Sequence, residues 1–280
     1  MDTTTTINTI RNKVKAWHKK GLSVGFVPTM GYLHEGHMSL IEKASKENDK
    51  VIVSIFVNPT QFGPNEDLEN YPRDLNKDIQ TCEKSGADLL FLPEVSEMYF
   101  EDKATSVSVS GLTKLLCGEK RPCHFNGVCL VLTKLFNIVN PDKAYFGEKD
   151  AQQLAVIKRF VRDLNFDIEI IGCPIVRECD GLAKSSRNTY LSIEERKAAL
   201  ILSKSLNKAR EFLKNGETSS DSIKNIIIES ISTESLAKID YVEVVDSLSL
   251  ERVGSTIKAP ILVAIAVYIG TTRLIDNFTY

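Results

Sequence analysis

The first half of the chain alternates short apolar runs with stretches whose apolar residues recur every three or four positions. The run 51–57 is a continuous series of β-branched and aromatic residues, which is typical of a strand buried on both faces. In the run 127–139 the apolar residues share one helical face instead, and Asn140 and Pro141 end the pattern. The predicted strands are residues 22–27, 51–57, 88–92 and 166–171, with 106–110 as a further candidate. The predicted helices are residues 9–20, 38–48, 71–85, 127–139 and a later segment carrying Leu154, Ile157 and Val161.

The regular alternation of strand and helix predicts an α/β fold, with a parallel sheet and helices on both of its faces. In such sheets ligands bind beyond the carboxyl ends of the strands. This rule places four loops on one rim of the sheet. They are residues 28–37, 58–64, 147–150 and 176–188.

The pattern changes after Arg187 and predicts a smaller α+β domain. Ser192 and Glu195 have the spacing of a capping box, and an apolar stripe of helical period follows up to Gly216. A second helix is predicted at 220–232, and the apolar segments 241–245 and 261–269 are predicted to pair as strands. The domains are therefore expected to be residues 1–175 and residues 176–280.

Composition narrows the class of protein. The chain has 280 residues, of which 42% are hydrophobic and 26% charged, with a net charge of −2, as in ordinary globular proteins. No dense basic stripe is present, which argues against a nucleic-acid surface. The N-terminus shows no secretory pattern, and the longest apolar stretch is too short to span a bilayer, so a cytoplasmic protein with reduced thiols is expected. The spacing of Cys117, Cys123 and His124 does not match a zinc site.

The segment 28–37 is the strongest candidate for chemistry. It joins a predicted strand to a predicted helix, and the N-terminus of a helix offers free N–H groups and a partial positive charge to an anion. His34 and His37 are three positions apart and share a helical face. A zinc-protease helix needs a step of four between its histidines, which disfavours a metal. The alternative interpretation is a polar loop that contains two incidental histidines.

Two further segments carry groups suited to phosphates. Residues 184–188 combine two cations with two hydroxyl groups, and arginine holds oxyanions with two parallel hydrogen bonds. Residues 147–150 add Lys149 for a phosphate and Asp150 for ribose hydroxyls. Taken singly, the first is also explained as a solvated interdomain loop and the second as a turn and helix cap. Their joint occurrence in loops predicted to share a rim favours a nucleotide triphosphate site.

The chain resembles the pantothenate synthetase family over nearly its full length. The motifs that carry the resemblance are residues 28–37, 56–62, 71–74, 124–128, 146–153 and 180–188, all in order. The resemblance implies a Rossmann-like domain with a smaller C-terminal domain that closes over ATP. It also implies ATP-dependent condensation of (R)-pantoate with β-alanine through a pantoyl-adenylate, releasing AMP and pyrophosphate.

The resemblance implies a role for each motif. The catalytic groups would be His34, His37, Lys149 and Arg187, with His37 commonly treated as a proton donor in the family. The ATP site would comprise Met30, Gly31, Tyr32, Leu33, His34, Glu35, Gly36, His37, Gly147, Glu148, Lys149, Asp150, Val176, Lys184, Ser185, Ser186 and Arg187. Pantoate would bind Gln61 and Gln153, with Asn58, Tyr71 and Pro28 beside them, and Asp78 would be a Mg²⁺ ligand. Lys184 stands where the family commonly has methionine or leucine.

The expected partners are ATP, Mg²⁺, pantoate and β-alanine, in a cytoplasmic homodimer that binds neither nucleic acid nor membrane. One alternative is a nucleotidyltransferase that acts on a phosphorylated substrate, but the neutral Gln61 and Gln153 disfavour such a substrate. Another is a nucleotide sensor or an RNA-binding relative of the tRNA synthetases, which the lack of a basic face disfavours.

Overall fold

Six strands form one parallel sheet in the computed structural model, which describes residues 1–64, 66–258 and 260–280. They are β1 (Asp2–Thr4), β2 (Val24–Thr29), β3 (Lys50–Ile55), β4 (Leu89–Phe91), β5 (Lys143–Gly147) and β6 (Glu169–Cys173). Their order is β1-β4-β3-β2-β5-β6, and every neighbouring pair is parallel. The chain proceeds to one side from β2 through β3 and β4, and to the other through β5 and β6. The topological switch point therefore lies between β2 and β5.

Helices connect these strands and continue into the C-terminal part of the chain. They are α1 (Ile7–His18), α2 (Glu35–Glu47), α3 (Leu75–Ser85), α4 (Val95–Met98), α5 (Leu116–Lys120), α6 (His124–Val139), α7 (Ala151–Asp163), α8 (Ile193–Ala198), α9 (Leu200–Lys214) and α10 (Ser220–Ile231). Short 3₁₀ helices lie at Pro59–Gln61, Glu148–Asp150 and Ser186–Tyr190. Asn140 caps α6 in the left-handed conformation (φ 46°), which confirms the predicted stop at this position.

The chain divides into two compact units. The first unit comprises Met1–Ser110, Arg121–Glu148 and Gln153–Pro174, and the second comprises Gly111–Lys120, Lys149–Gln152 and Ile175–Tyr280. Two short segments of the N-terminal half, residues 111–120 and 149–152, thus belong to the second unit.

The sheet of the first unit is buried on both faces. On one face Val27, Val53 and Leu90 pack against Ile41 and Ala44 of α2. The other face carries an aromatic cluster, in which Phe136 of α6 lies 6.5 Å from Phe26 and 6.0 Å from Phe160 of α7, measured between ring centroids. This two-sided burial explains why β2 and β3 are continuous apolar runs, and it confirms the predicted α/β class.

The second unit contains a three-stranded antiparallel sheet, β7 (Ala237–Asp246), β8 (Ile261–Ile269) and β9 (Thr272–Thr279), in that order. Helices α9 and α10 cover it, with Leu202 and Leu206 meeting Val263 and Ile265 in one core. The predicted pairing of β7 with β8 and the predicted capping box of α8 are confirmed. The apolar pattern does not predict β9, because polar residues interrupt it there.

One predicted strand is wrong. Residues 106–110 belong to no strand in the structure, although serine and valine alternate there with the period of two that strands show. The three serines are exposed, and the two valines are only partly buried. Alternation alone does not make a strand unless a sheet edge pairs with it. The sequence pattern conversely misses β1, a short threonine-rich segment that pairs with β4.

An ion pair between a partly exposed arginine and a buried aspartate fixes β9 to the segment that follows β6. Arg177 donates to both carboxylate oxygens of Asp276 at 2.7 and 2.9 Å, and also to Gly181 O at 3.0 Å. Because the Asp276 side chain is almost fully buried, its loss leaves the guanidinium without this counter-ion.

Replacing Asp276 by alanine is expected to lower the free energy of unfolding by about 1.5–3 kcal/mol, because the hydrogen bonds to a charged partner are lost while the remaining guanidinium is partly exposed to water. Urea unfolding measures this loss. The control is Asp163→Ala, which removes the exposed pair with Arg162 and should cost less than about 1 kcal/mol. Equal small losses in the two variants would contradict the structural role of the Asp276 pair.

No helix in the part of the chain that the structure describes is both long and apolar enough to cross a bilayer.

Candidate active site

The loop between β2 and α2 lies at the carboxyl end of a central strand, beside the switch point of the sheet. Gly31 and Tyr32 both adopt the left-handed conformation, with φ of 86° and 51°. Helix α2 begins at Glu35, three residues earlier than predicted, with His34 as its N-cap. His37 therefore lies in the first helical turn, where backbone N–H groups and the helix dipole favour an anion.

The two histidines cap the helix through their own imidazoles. His34 Nδ1 accepts from the Gly36 N–H at 3.1 Å, and His37 Nδ1 accepts from the His34 N–H at 3.3 Å. Their ring centroids are 4.1 Å apart. A neutral imidazole that accepts at Nδ1 carries its proton at Nε2. Both histidines therefore present an Nε2–H donor, and this favours hydrogen bonding to an anion over metal ligation through Nδ1.

Asp78 of α3 accepts two hydrogen bonds from the backbone of this loop. Its Oδ2 accepts from the Tyr32 N–H at 2.8 Å, and its Oδ1 accepts from the Leu33 N–H at 2.6 Å. The residue is 2% exposed, and this burial raises the pKa of Asp78 despite the two hydrogen bonds that favour its charged form. Both oxygens point to the loop, so the residue fits the expected Mg²⁺ role poorly. Among the described residues no group of three or more His, Cys, Asp or Glu side chains is arranged to hold a metal ion.

A second polar cluster follows β3. Asn58 is 1% exposed and donates from Nδ2 to Gln61 Oε1 at 3.0 Å and to Gly127 O at 3.2 Å. Its Oδ1 accepts from the Tyr99 hydroxyl at 2.9 Å. Because Asn58 occupies the oxygen of the Gln61 amide, the NH₂ group of that amide points the other way, where it lies 3.1 Å from Met30 Sδ. The Asn58 cluster thus orients Gln61 towards the 28–37 loop.

The start of α6 packs directly against this cluster. His124 Nδ1 lies 3.0 Å from Gln61 O. Gly127 lies so close to the 3₁₀ helix that an added Cβ would come within 2.6 Å of Gln61 Cα and closer still to Thr60 O. Only glycine fits this position, which explains why the 124–128 motif contains one.

Replacing Gly127 by alanine should therefore displace the 3₁₀ helix and with it Gln61. We expect about 1–3 kcal/mol of lost stability from overpacking. We also expect a rise of about tenfold or more in the KM for the ligand that Gln61 binds, because small displacements of positioning groups are costly. Urea unfolding and steady-state kinetics measure the two effects. The control is Gly254→Ala, whose added Cβ meets no atom within 4 Å. Unchanged values in Gly127→Ala would contradict the close packing.

The other expected residues of the first unit lie near the same strand ends. Tyr71 is buried with its ring centroid 6.0 Å from that of Phe62, and Pro28 lies within β2. Gly147 ends β5, Glu148 follows it, and Gln153 lies in the first turns of α7. Since β3, β2 and β5 are neighbours in the sheet, residues 28–37, 58–64 and 147–148, which lie at or beyond their carboxyl ends, share one rim, as predicted for these segments.

The second unit brings together another group of expected ATP-site residues. The Lys184 N–H donates to Val176 O at 2.9 Å, and Arg177 and Ala183 form a β-bridge around the Gly181 turn. Ser185 caps the 3₁₀ helix Ser186–Tyr190 and accepts from the Arg187 N–H at 3.3 Å.

Two amide side chains in the second unit hold these segments in place. Asn188 donates to Ala183 O and to Glu178 Oε1, both at 3.1 Å. Asn277 of β9 donates to Lys149 O at 2.8 Å and so anchors the segment containing Lys149 and Asp150. Sequence reasoning placed Asn188 in the 180–188 motif without a supporting role, and it missed Asn277, whose contact joins residues 128 positions apart along the chain.

The parallel sheet, the loop at its switch point and the two histidines that cap α2 define a nucleotide-binding α/β protein of the Rossmann-like class. Comparison with known proteins then identifies the family. The model of the pantoate-beta-alanine ligase family matches residues 2–279, so the chain belongs to that family.

The chain is similar to individual relatives over nearly its full length. The chain is 69% identical to the pantothenate synthetase of Clostridium acetobutylicum, covering 98% of this chain and 97% of the relative, and 67% identical to that of Enterococcus faecalis, with the same coverage. The crystal structure of the Thermus thermophilus pantothenate synthetase has a TM-score of 0.93 at 46% identity, covering 99% of both chains. The Francisella tularensis pantoate-beta-alanine ligase, complexed with beta-gamma ATP and beta-alanine, has a TM-score of 0.79 at 36% identity, covering 99% of this chain and 97% of that one.

The family resemblance predicted from the motifs is thus confirmed. The activity is that of the family, the ATP-dependent condensation of pantoate with β-alanine by an AMP-forming carbon–nitrogen ligase. The alternatives of a nucleotidyltransferase and of an RNA-binding protein are set aside.

Proposed function

We propose that the chain condenses pantoate with β-alanine through a pantoyl-adenylate that forms at the 28–37 loop, which carries His34 and His37. The observation that carries this proposal is the geometry of His34 and His37. Both Nδ1 atoms accept backbone N–H groups, so both imidazoles carry their proton at Nε2, at the N-terminus of α2. Donors fixed before the reaction stabilise charge that develops on phosphate oxygens.

ATP is proposed to bind along the 28–37 loop with its phosphates at the start of α2. Met30 to His37 line this part of the site, followed by Gly147 and Glu148 at the end of β5. From the second unit we assign Lys149 and Arg187 to the phosphates, Asp150 to the ribose and Val176 to the adenine. Lys184, Ser185 and Ser186 complete the phosphate loop. The complex of the Francisella tularensis relative with beta-gamma ATP and beta-alanine supports ATP and β-alanine as ligands.

Pantoate is proposed to bind the amides of Gln61 and Gln153. Asn58 holds the Gln61 oxygen, so the NH₂ group is the part offered to a substrate carboxylate or hydroxyl. A neutral donor suits a carboxylate that must remain a nucleophile, because a fixed cation would stabilise its charge in the ground state. Pro28 and Tyr71 contribute apolar walls. Asn58 does not contact pantoate and instead orients the Gln61 amide through its hydrogen bond to Oε1.

The chemistry then has two steps. A pantoate carboxylate oxygen attacks the α-phosphorus of ATP, the bond to the β-phosphate oxygen breaks, and pyrophosphate leaves. The β-alanine amine next attacks the acyl carbon, the bond between that carbon and the AMP oxygen breaks, and the amine loses a proton. His34, His37, Lys149 and Arg187 stabilise the phosphate charge, and a dry site protects the mixed anhydride from water.

Mg²⁺ is proposed to enter with ATP rather than to occupy a dedicated protein site. Mg²⁺ commonly keeps several waters and binds through substrate phosphates. The carboxylate oxygens of Asp78 accept the two loop N–H groups. The donor set around Asp78 therefore does not fit a resident ion.

We also infer a cytoplasmic homodimer, on the strength of the family resemblance. Sedimentation equilibrium should give twice the chain mass of 31.2 kDa. A single-chain mass at micromolar concentration would contradict the dimer. Residues 1–175 are assigned to ATP and pantoate binding, and residues 176–280 to a smaller C-terminal domain that also contributes Val176 and residues 184–187 to ATP binding.

The direct test is product analysis with ATP and pantoate, with and without β-alanine. AMP and pyrophosphate are expected, and sustained AMP release is expected to require β-alanine. Release of ADP and inorganic phosphate would contradict an adenylate. A nucleotide-containing final product would indicate a nucleotidyltransferase instead.

A further inference from the structure

Asp78 lies outside the motif that contains the histidines, yet it is bonded to the loop that carries them. The residue is in the first turn of α3, 45 positions after Leu33 along the chain. Its two carboxylate oxygens accept from two consecutive N–H groups, those of Tyr32 and Leu33. A charged acceptor shared by two N–H donors gives hydrogen bonds about twice as strong as neutral ones.

Asp78 contacts the loop at its left-handed turn. Gly31 and Tyr32 are both left-handed, and for a tyrosine this conformation is strained. The loop enters this turn with the Gly31 N–H bonded to Thr29 Oγ1 at 3.2 Å, and Thr29 Oγ1 donates in turn to Ser54 O at 2.8 Å. Asp78 holds the middle of the turn, so the loop is fixed on both sides of the strained residue.

The position of the histidines depends on this turn. Leu33 directly precedes His34, the N-cap of α2, and the capping bonds of His34 and His37 fix both imidazoles relative to that point. A second contact from α3 reaches the same turn, because Lys77 Nζ lies 5.4 Å from the ring centroid of Tyr32. Helix α3 thus acts as the support of the histidine loop.

We propose that Asp78 is a positioning residue for the reaction: its carboxylate fixes the left-handed turn that aims the Nε2–H groups of His34 and His37. It acts through the loop and touches neither ATP nor a metal ion. The inference rests on the proposed function of the two histidines and adds the group that holds them.

Asp78→Asn tests this role with almost no change of shape. An asparagine offers one acceptor oxygen, so one of the two loop N–H groups faces an NH₂ donor instead. We expect kcat for β-alanine-dependent AMP release to fall about 10- to 100-fold. In the His37→Ala background the same change should have a much smaller effect, because the two residues act as one unit. The Mg²⁺ concentration for half-maximal rate should stay unchanged.

The matched control is Asp74→Asn on the same helix. Asp74 is exposed and caps α3 by accepting from the Lys77 N–H at 3.1 Å, which asparagine does equally well. This variant should keep the wild-type kcat. Gly31→Ala disturbs the same contact by a change in the loop, because the added Cβ would lie 3.0 Å from Asp78 Oδ2. This variant should lower kcat as well.

A measurement that does not need the reaction is ¹H–¹⁵N NMR of the histidine side chains. Wild type should show Nε2–H tautomers for His34 and His37, and Asp78→Asn should shift both signals while leaving His18 unchanged. A normal kcat with unshifted histidine signals in Asp78→Asn would overturn the inference. So would a raised Mg²⁺ requirement without a histidine shift, which is the behaviour of a metal ligand. Failure of wild type to form AMP would instead overturn the proposed function, and the NMR comparison separates the two results.

Discussion

Replacing His37 by alanine is expected to lower kcat for AMP formation by about 10²–10³-fold, the usual effect of removing one pre-placed donor to a developing oxyanion. The variant loses the Nε2–H group of an imidazole whose Nδ1 accepts from the His34 N–H. The fold should survive, because His37 is only partly buried and its capping bond to the backbone is a neutral one, worth about 1 kcal/mol. Pre-steady-state formation of pyrophosphate measures the first chemical step directly.

His18→Ala is the control for this experiment. His18 ends α1, is also partly buried, and lies 3.5 Å from the carboxylate of Asp142. Its replacement should leave kcat unchanged. If His37→Ala keeps its full rate, or if His37→Ala and His18→Ala lose activity equally, the role assigned to His34 and His37 is wrong.

Replacing Gln61 by glutamate is expected to raise the KM for pantoate by about 10²–10³-fold. The two side chains have the same shape, and Asn58 can still donate to the first oxygen. The second oxygen takes the place of the NH₂ group, so a donor is lost and a negative charge faces the pantoate carboxylate. Like charges placed together cost several kcal/mol, and the lost donor adds to that cost.

The KM for ATP separates this effect from general damage, and it should change much less than the KM for pantoate. Gln80→Glu provides the matched control, because Gln80 is an exposed residue on α3 and its change adds the same charge. An unchanged pantoate KM in Gln61→Glu would show that the amide does not face pantoate.

Local sequence patterns are sufficient to place the strands and the loops of the candidate site on the fold. Strands β2 and β3 are continuous apolar runs because the sheet is covered on both faces, so their ends and the loops beyond them are predictable. The predicted start of α2 is three residues late. Its N-cap is His34, which uses an imidazole nitrogen where serine, threonine, asparagine or aspartate is usual, so the capping signal is not visible in the sequence.

What the sequence does not show depends on contacts between distant residues. The expectation that Asp78 is a metal ligand came from the family resemblance, and the residue's position in the chain does not reveal its two bonds. Those bonds to Tyr32 and Leu33 form only when α3 packs beside the loop. Strand β9 is missed for a similar reason, since its buried Asp276 and Asn277 are stabilised by Arg177 and by Lys149 O. Polar residues interrupt the apolar pattern there, and pairing with β8 makes the segment a strand.

The most direct test of the central claim follows oxygen from pantoate into AMP. Pantoate labelled with ¹⁸O in both carboxylate oxygens should transfer one labelled oxygen to AMP and retain the other in the amide carbonyl of pantothenate, as mass spectrometry of the two products would show. This result is required if the carboxylate attacks the α-phosphorus and the amine then breaks the bond to the acyl carbon. Unlabelled AMP, or label found in inorganic phosphate together with ADP, would contradict the account.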